Sequence, residues 1–552
     1  MGSIHIGGVE LLEPDDRLLI AHNAAIENWL TQKGYIRTYT DKDMINGAIR
    51  GLFEMLNTAF STYMRQISSR SLSDYFLFQY EQLMKVIAKH KAGTLSAQEA
   101  EWCERLGPSR QIALRFIAER IVLLGDSEDA TPGQDVKNVT AHRMFVCAKS
   151  MVDMYVLSDQ TFLAFPEHTR MSVNRGGTPF LEIKLDAIDP TFGERVRKVQ
   201  ISNEEKKRMS ELLEGADIIG DSDARRRHLD PHLQQIIGTD LDHVFHVLWM
   251  FAVPFTPPEG QKYPIAFCKQ EQLLDGIAAK VGLSREVVDK IIDAFILTKE
   301  KMETEAHEVW ISDNEYRSFI RPLLRLPHPD QWHITYSSEM VKESLDHFHV
   351  MLAFNQAPVE WMPALKPALS ALNKEITAKF ESHFARLMKH RGFEGRSFRR
   401  SIGTGQAKLR IRDGVGEIDY LGFSPSLNLL VVVECKLARW GSNPKDYYND
   451  RCDFVDDDDS YLKQVTRKAD WVQENADAVF SAMKSVLPIP RDAAMPDRIA
   501  HAIITYYPTP ASLFVRSCPC ASFAKFFDAF DTAHDWPYKE GILKLNRTAV
   551  IA

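Results

Sequence analysis

The chain has 552 residues, 45% hydrophobic and 26% charged, with a formal net charge of −8. That length accommodates about two to four domains with cores that need no covalent staples, and the mild acidity excludes a protein that coats nucleic acid through bulk charge, while leaving room for a local basic groove. Seven scattered cysteines, odd in number, exclude a disulfide framework and read as reduced thiols in the cytoplasm.

The opening MGSIHIGG has no basic segment leading into an apolar one, so it is not a secretory signal, and Ile6 stands where a myristoylation pattern needs Ser or Thr. The longest apolar stretch, His246–Phe255, is far short of the roughly 20 residues that span a bilayer, so a soluble protein with no membrane partner is expected. Asp16–Lys33, Lys42–Ile67, Ser71–Lys91 and Ser96–Leu124 carry apolar residues at three-and-four spacing, which predicts a helical domain over residues 1–130. No GxxxxGK[ST] loop occurs, so a built-in ATP motor is unsupported.

Asp126–Asn138 is a polar Pro/Gly-containing linker candidate. A small mixed α/β segment is expected over 131–239. In it Arg143–Leu157 and Thr161–Phe165 read as β-rich, Leu181–Leu185 as a strand, Asn203–Leu213 as a helix and Arg225–Arg227 as a solvated turn. A helical, winged-helix-like segment is expected over 240–360. Gln270–Val281 and Ser284–Phe295 flank Gly282-Leu283 in helix-turn-helix outline, followed by strands within Trp310–Tyr336. The second of those helices is net acidic, which points to packing rather than DNA reading. Among eighteen histidines, HLDPH (His228, His232) has ligand spacing, but Pro231 argues against a regular helix there and a third ligand is missing. No HExxH or GxSxG motif is present.

The C-terminal part holds the chemistry. Leu369–Arg391 carries a helical apolar stripe through Leu372, Ile376, Phe380, Phe384 and Leu387, with Glu381 at its edge and Glu375 further round. Arg391, Arg396, Arg399, Arg400, Lys408, Arg410 and Arg412 then concentrate positive charge, which suits phosphate contacts. Two strands follow, Gly414–Phe423 and Leu429–Lys436, around a turn at Ser424–Asn428. In a hairpin symmetric about that turn Asp419 faces Glu434, with Cβ atoms roughly 5 Å apart. Glu434 and Lys436 share a strand face, and Cys435 points the other way. The unbroken apolar run LLVVV marks a strand buried on both faces, where charges need a reason. Two carboxylates and an ammonium on one patch suit a hard divalent cation, Mg²⁺ with Mn²⁺ as substitute. Downstream, DDDD at Asp456–Asp459 caps a helix predicted over Ser460–Met483. Tyr461, Gln464 and Lys468 lie on one of its faces, and Ile499–Tyr507 supplies a further strand.

GEID followed by VVVECK resembles the PD-(D/E)xK nuclease signature, with Asp419, Glu434 and Lys436 in the D, E and K positions and Glu417-Ile418 where a proline often stands. Phe380-Glu381, Leu387 and Gly392-Phe393 resemble the opening helix of Mrr-type restriction endonucleases, and Gln464 resembles the glutamine that follows the core in that group and in RecB-like nucleases. The resemblance covers about Pro363–Pro537. It implies a restriction-endonuclease-like α/β domain over 361–552 with an α-β-β-β-α-β core, after a mainly α-helical N-terminal two-thirds. It also implies a Mg²⁺-dependent phosphodiester hydrolase. Asp419, Glu434 and Glu381 are the expected metal ligands, with Glu375 the alternative to Glu381, and Lys436 and Gln464 act beside them. Arg396, Arg399, Arg400, Lys408, Arg410 and Lys468 are expected on nucleic acid. Double-stranded DNA is the expected substrate, in an antiviral or restriction role, cut by a dimer whose N-terminal regions bind a trigger or partner. The alternatives are a nucleic-acid-binding or assembly protein that keeps the fold without catalysis, and an RNA-directed effector.

Overall fold

A computed structural model describes residues 2–36, 38–124, 138–159, 169–173, 181–185, 203–256, 263–303, 316–328, 331–439 and 444–545. The chain divides into two compact units: Met1–Asp186 with Ser222–Ser370, and Ala187–Asp221 with Ala371–Ala552. The linker candidate and the Thr161–Phe165 stretch lie outside the described residues, apart from Asn138.

In the first unit the expected N-terminal helices form as Asp16–Gln32, Lys42–Met64, Ser69–Lys91 and Ala97–Leu124. The first three open on side-chain caps: Asp15, Asp41 and Ser68 accept from Leu18, Met44 and Ser71 N–H. Arg143–Leu157, expected to be β-rich, is instead inside the helix Asn138–Asp159. Ala141, Met144, Phe145, Ala148, Met151 and Val152 are buried at helical spacing, and the helix packs on both Lys42–Met64 and Ala97–Leu124. Leu181–Leu185 is a strand in a three-stranded sheet, as expected.

The solvated turn at Arg225 is also overturned. Ser222–Ile236 is a helix that contains Pro231, and Arg225 is 2% exposed, donating from Nη2 to the His349 carbonyl at 2.7 Å. Leu229 and Leu233, both buried, hold the helix on either side of the proline, so packing outweighs the lost backbone bond.

The helix-turn-helix outline holds: Gln270–Val281 ends on Gly282 at φ 72°, a left-handed conformation that suits glycine, and Ser284 caps Arg285–Phe295. A four-stranded sheet accompanies it, in the order Ala266–Lys269, Gln331–Tyr336, Leu323–His328, Ile296–Leu297. Arg285 pairs with Asp275 at 3.4 Å on the surface of the two helices.

The segment expected over 240–360 shares its unit with the N-terminal helices. Buried carboxylates tie the two together: Glu81 accepts from the Ser338 N–H at 3.0 Å, and Glu119 accepts from the Ser318 N–H at 2.9 Å and pairs with Arg317 at 2.8 Å. Such long-range polar contacts leave no periodic trace in sequence.

The second unit is built on a mixed sheet in the order Glu394–Phe398, Ile418–Ser424, Leu429–Lys436, Arg498–Thr505, Cys520–Ser522, with Ile542–Lys544 also paired to Arg498–Thr505. The first three strands are antiparallel neighbours, and Leu429–Lys436 runs parallel to Arg498–Thr505. One sheet face carries Leu421, Phe423, Leu430 and Val432 against Trp471, Val472, Val479 and Phe480. These last four lie on two helices, Tyr461–Glu474 and Ala476–Lys484, broken at Asn475 where a single helix was expected. The other face meets an aromatic layer. Phe380 and Phe384 of the helix Met362–His390 pack edge-on against Tyr506 and Tyr420, and Phe384 touches Phe526 and Phe527 of the helix Phe523–Ala533. The helix Asn203–Leu212 belongs to this unit too, through Arg208 ion pairs to Asp528 at 2.6 Å and Asp531 at 2.8 Å.

Candidate active site

The site grows from the hairpin Ile418–Ser424/Leu429–Lys436. Its paired residues run from Ser424↔Leu429 to Tyr420↔Val433, and that register carried one residue further sets Asp419 against Glu434. Asn428 closes the turn at φ 48°, a left-handed conformation that asparagine tolerates. Strand alternation then puts Asp419, Glu434 and Lys436 on the face covered by Tyr461–Glu474, and Tyr420 and Cys435 on the aromatic face.

The charges are deep. Glu434 is 1% exposed and Asp419 is 9% exposed. Glu434 Oε1 takes the Lys436 ammonium at 2.6 Å, and its Oε2 takes the ammonium of Lys468. Lys468 Nζ also lies 3.8 Å from Asp419 Oδ1, while Asp419 Oδ2 accepts from the Cys435 N–H at 2.9 Å. Lys436 sits over the Tyr461 ring at 4.5 Å. Two carboxylates therefore meet two ammonium groups, which accounts for how this much charge can be buried.

Burial pushes the Asp419 carboxyl up to about 6, and Glu434 adds to this against the pull of Lys468, Lys436 and the Cys435 N–H. For Lys436 burial opposes the charge, but Glu434 and Asp419 outweigh it and hold the ammonium protonated beyond the usual range. Glu381 is pushed up to about 7, first by burial and then by Asp419, Glu417 and Glu434 against Lys436. Glu381 thus feels the charges of the site. Glu375, the alternative, pairs with Lys379 at 2.8 Å.

Two expectations need correction. Lys468, expected on nucleic acid, is 4% exposed and bound to the carboxylates. Val465, Ala469 and Val472 are buried around it, and that apolar setting on the helix was the available signal. Gln464 does not reach the carboxylates: its amide donates to the Asp459 carbonyl at 2.7 Å and tethers the acidic run to the helix.

Arg396, Arg399, Arg400, Lys408 and Arg410 are all exposed. Arg399 pairs with Glu417 at 3.1 Å and Arg410 with Asp413 at 3.1 Å, surface pairs worth about 0–1 kcal/mol that a phosphate can readily replace. Arg391 is committed elsewhere, pairing twice with Asp531 at 2.6 Å over the Phe527 ring. Arg412 lines an open groove of about 490 Å³ with Lys463, Arg467 and Trp471 along the outer side of the Lys468 helix.

Among the described residues no three His, Cys, Asp or Glu side chains are gathered tightly enough to enclose a metal ion. The donor chemistry nevertheless fits Mg²⁺ or Mn²⁺. Asp419 and Glu434 offer hard oxygens on facing strands, and Mg²⁺ takes one or two carboxylates while keeping its waters.

The Glu381 carboxyl predicts a pH effect with a definite sign. Its folded value of about 7 lies above the ordinary 4.5, so between these limits the folded chain holds a proton that the unfolded chain has lost. Stability therefore falls as pH rises through that window, and the loss is complete above it. Glu381→Gln should raise stability by about 1–2 kcal/mol at pH 8, after allowance for solvent screening, and by nothing at pH 4. Urea unfolding of both proteins at the two pH values checks this, and an equal gain at both would remove the electrostatic cause.

None of the known protein families, curated proteins or solved structures compared with this chain matches it, so the functional reading rests on the geometry and chemistry of the site itself.

Proposed function

We propose that the second unit is a divalent-cation-dependent endonuclease that hydrolyses phosphodiester bonds in DNA. The observation that carries this reading is the pair of buried carboxylates, Asp419 and Glu434, with the half-buried Lys436 ammonium on Glu434, together at one end of two central strands. The element order supports it as well: a helix, the strands Glu394–Phe398, Ile418–Ser424 and Leu429–Lys436, a helix and the strand Arg498–Thr505, as the PD-(D/E)xK resemblance implies.

Asp419 and Glu434 would hold Mg²⁺ or Mn²⁺, with Glu381 at the edge of the shell. When bound, such an ion polarises a phosphoryl oxygen and acidifies water. Lys436, held by Glu434 and the Tyr461 ring, presents a fixed ammonium that can orient a water or meet charge developing on phosphorus. The exposed arginines beside the strand Glu394–Phe398 would take flanking phosphates. The first unit, with its helix-turn-helix, would bind a trigger, a partner or a second copy in a restriction or antiviral role.

The test is cleavage of supercoiled plasmid and linear duplex with Mg²⁺, Mn²⁺ or EDTA, beside matched single-stranded DNA and RNA. Nicking with metal and none with EDTA is expected for duplex DNA. Cleavage confined to RNA would move the substrate class, and metal-independent cleavage would overturn the reading.

One observation favours a second reading. The carboxylates are already neutralised by two lysines, so a module that binds nucleic acid through its exposed arginines without cutting is consistent with the site. Tight DNA binding with no cleavage under any metal would select it.

A further inference from the structure

Lys468, expected on nucleic acid, is the most buried cation of the site, with 5% of its side chain exposed. Its ammonium bonds Glu434 Oε2 and stands 3.8 Å from Asp419 Oδ1, so it spans the two carboxylates across the hairpin. Lys436 takes the other oxygen of Glu434, at 2.6 Å. Between them the lysines cover both Glu434 oxygens and one face of Asp419. A divalent cation on Asp419 and Glu434 would stand within a few ångströms of the ammonium on Glu434 Oε2, where repulsion is strong because water is scarce.

We infer that Lys468 is an internal counter-cation that competes with the divalent ion, holding the two carboxylates together before the ion enters and yielding Glu434 to it. This rests on the proposed metal-dependent reading and deepens it: Lys468 sets metal affinity, whereas Lys436 acts toward the substrate. The two lysines differ in their surroundings as the two roles require. Lys436 has 22% of its side chain exposed and rests on the Tyr461 ring. Lys468 projects from the middle of a helix between buried Val465 and Val472.

The test is Mn²⁺ binding to the full chain, with Mn²⁺ alone as probe and without nucleic acid, followed by electron paramagnetic resonance and by titration calorimetry. Lys468→Met should bind Mn²⁺ at least tenfold more tightly than wild type. Lys468→Arg, which keeps the charge, should bind no more tightly. The melting temperature should rise more on adding Mn²⁺ for Lys468→Met than for wild type, since a tighter ligand stabilises more at equal concentration. If Lys468→Met fails to fold without metal, Lys468→Gln, which keeps an amide donor toward Glu434, is read in the same titration.

Binding that Asp419→Asn abolishes but the neutral Lys468 variants leave unchanged or weaken would overturn the competition and leave the metal-dependent reading standing. No Mn²⁺ binding by wild type or any variant at millimolar concentration would overturn both.

Discussion

Lys436→Ala should lose metal-dependent plasmid cleavage by roughly 10³-fold or more, the scale on which a single preorganised electrostatic group acts in a buried site. The fold should survive. Glu434 keeps Lys468 as a partner, the truncated side chain is partly open to solvent, and the neighbouring Leu430 and Val432 are untouched. Circular dichroism and melting should therefore stay near wild type while cleavage disappears. Lys436→Arg should restore little, because a planar guanidinium cannot occupy the position of a compact ammonium between Glu434 Oε1 and the Tyr461 ring. Full cleavage by Lys436→Ala would remove this residue from the chemistry and the proposed mechanism with it.

How far the site could be read from sequence depends on which physical signal each residue leaves. The Asp419–Glu434 pairing was legible because register follows from the turn, and the turn is marked by Pro425 and Asn428 between apolar runs. Burial of the second strand was legible from LLVVV. Glu381 was legible as the edge of a helical stripe, whereas the pairing of Glu375 with Lys379, an i+4 partner, depends on a rotamer that sequence does not give. Lys468 was misassigned because a helical wheel shows which residues share a face but not which way that face turns. A lysine is more often solvated than buried, and only the charges waiting across the hairpin make burial favourable. Gln464 failed for the complementary reason: Asp459, five residues earlier, offers its amide a nearer partner than the sheet does.

The same distinction runs through the fold. The N-terminal helices and the helix-turn-helix were visible because caps and periodicity are local. Asn138–Asp159 was misread because residues such as Val146, Val152 and Tyr155 favour strands, although Met144, Phe145, Ala148, Met151 and Val152 carry helical spacing. Tertiary packing settled that conflict. The assignment of Asn203–Leu212 to the C-terminal unit was beyond any local signal, since it depends on Arg208 meeting Asp528 and Asp531 more than 300 residues later.

Glu434→Ala should be among the most destabilising single changes in the second unit, by about 3–5 kcal/mol, the usual cost of breaking a buried ion pair from one side. The loss comes mainly from what is left behind. Lys468 has 5% of its side chain exposed and would retain only Asp419, at 3.8 Å, while Lys436 would keep its aromatic contact but lose its carboxylate. Urea unfolding followed by a probe in the second unit gives the single-variant loss, and the double variant Glu434→Ala/Lys468→Met gives the coupling. If the uncompensated lysine is the cause, removing it as well should recover a large part of the stability, because no unpaired ammonium is then left buried. Additive losses in the cycle would mean instead that Glu434 matters through packing in the strand, and that the lysine finds water once its partner is gone. This result needs neither metal nor substrate. It tests whether the charges at the end of the central strands hold together as a unit, which any chemistry proposed for them requires.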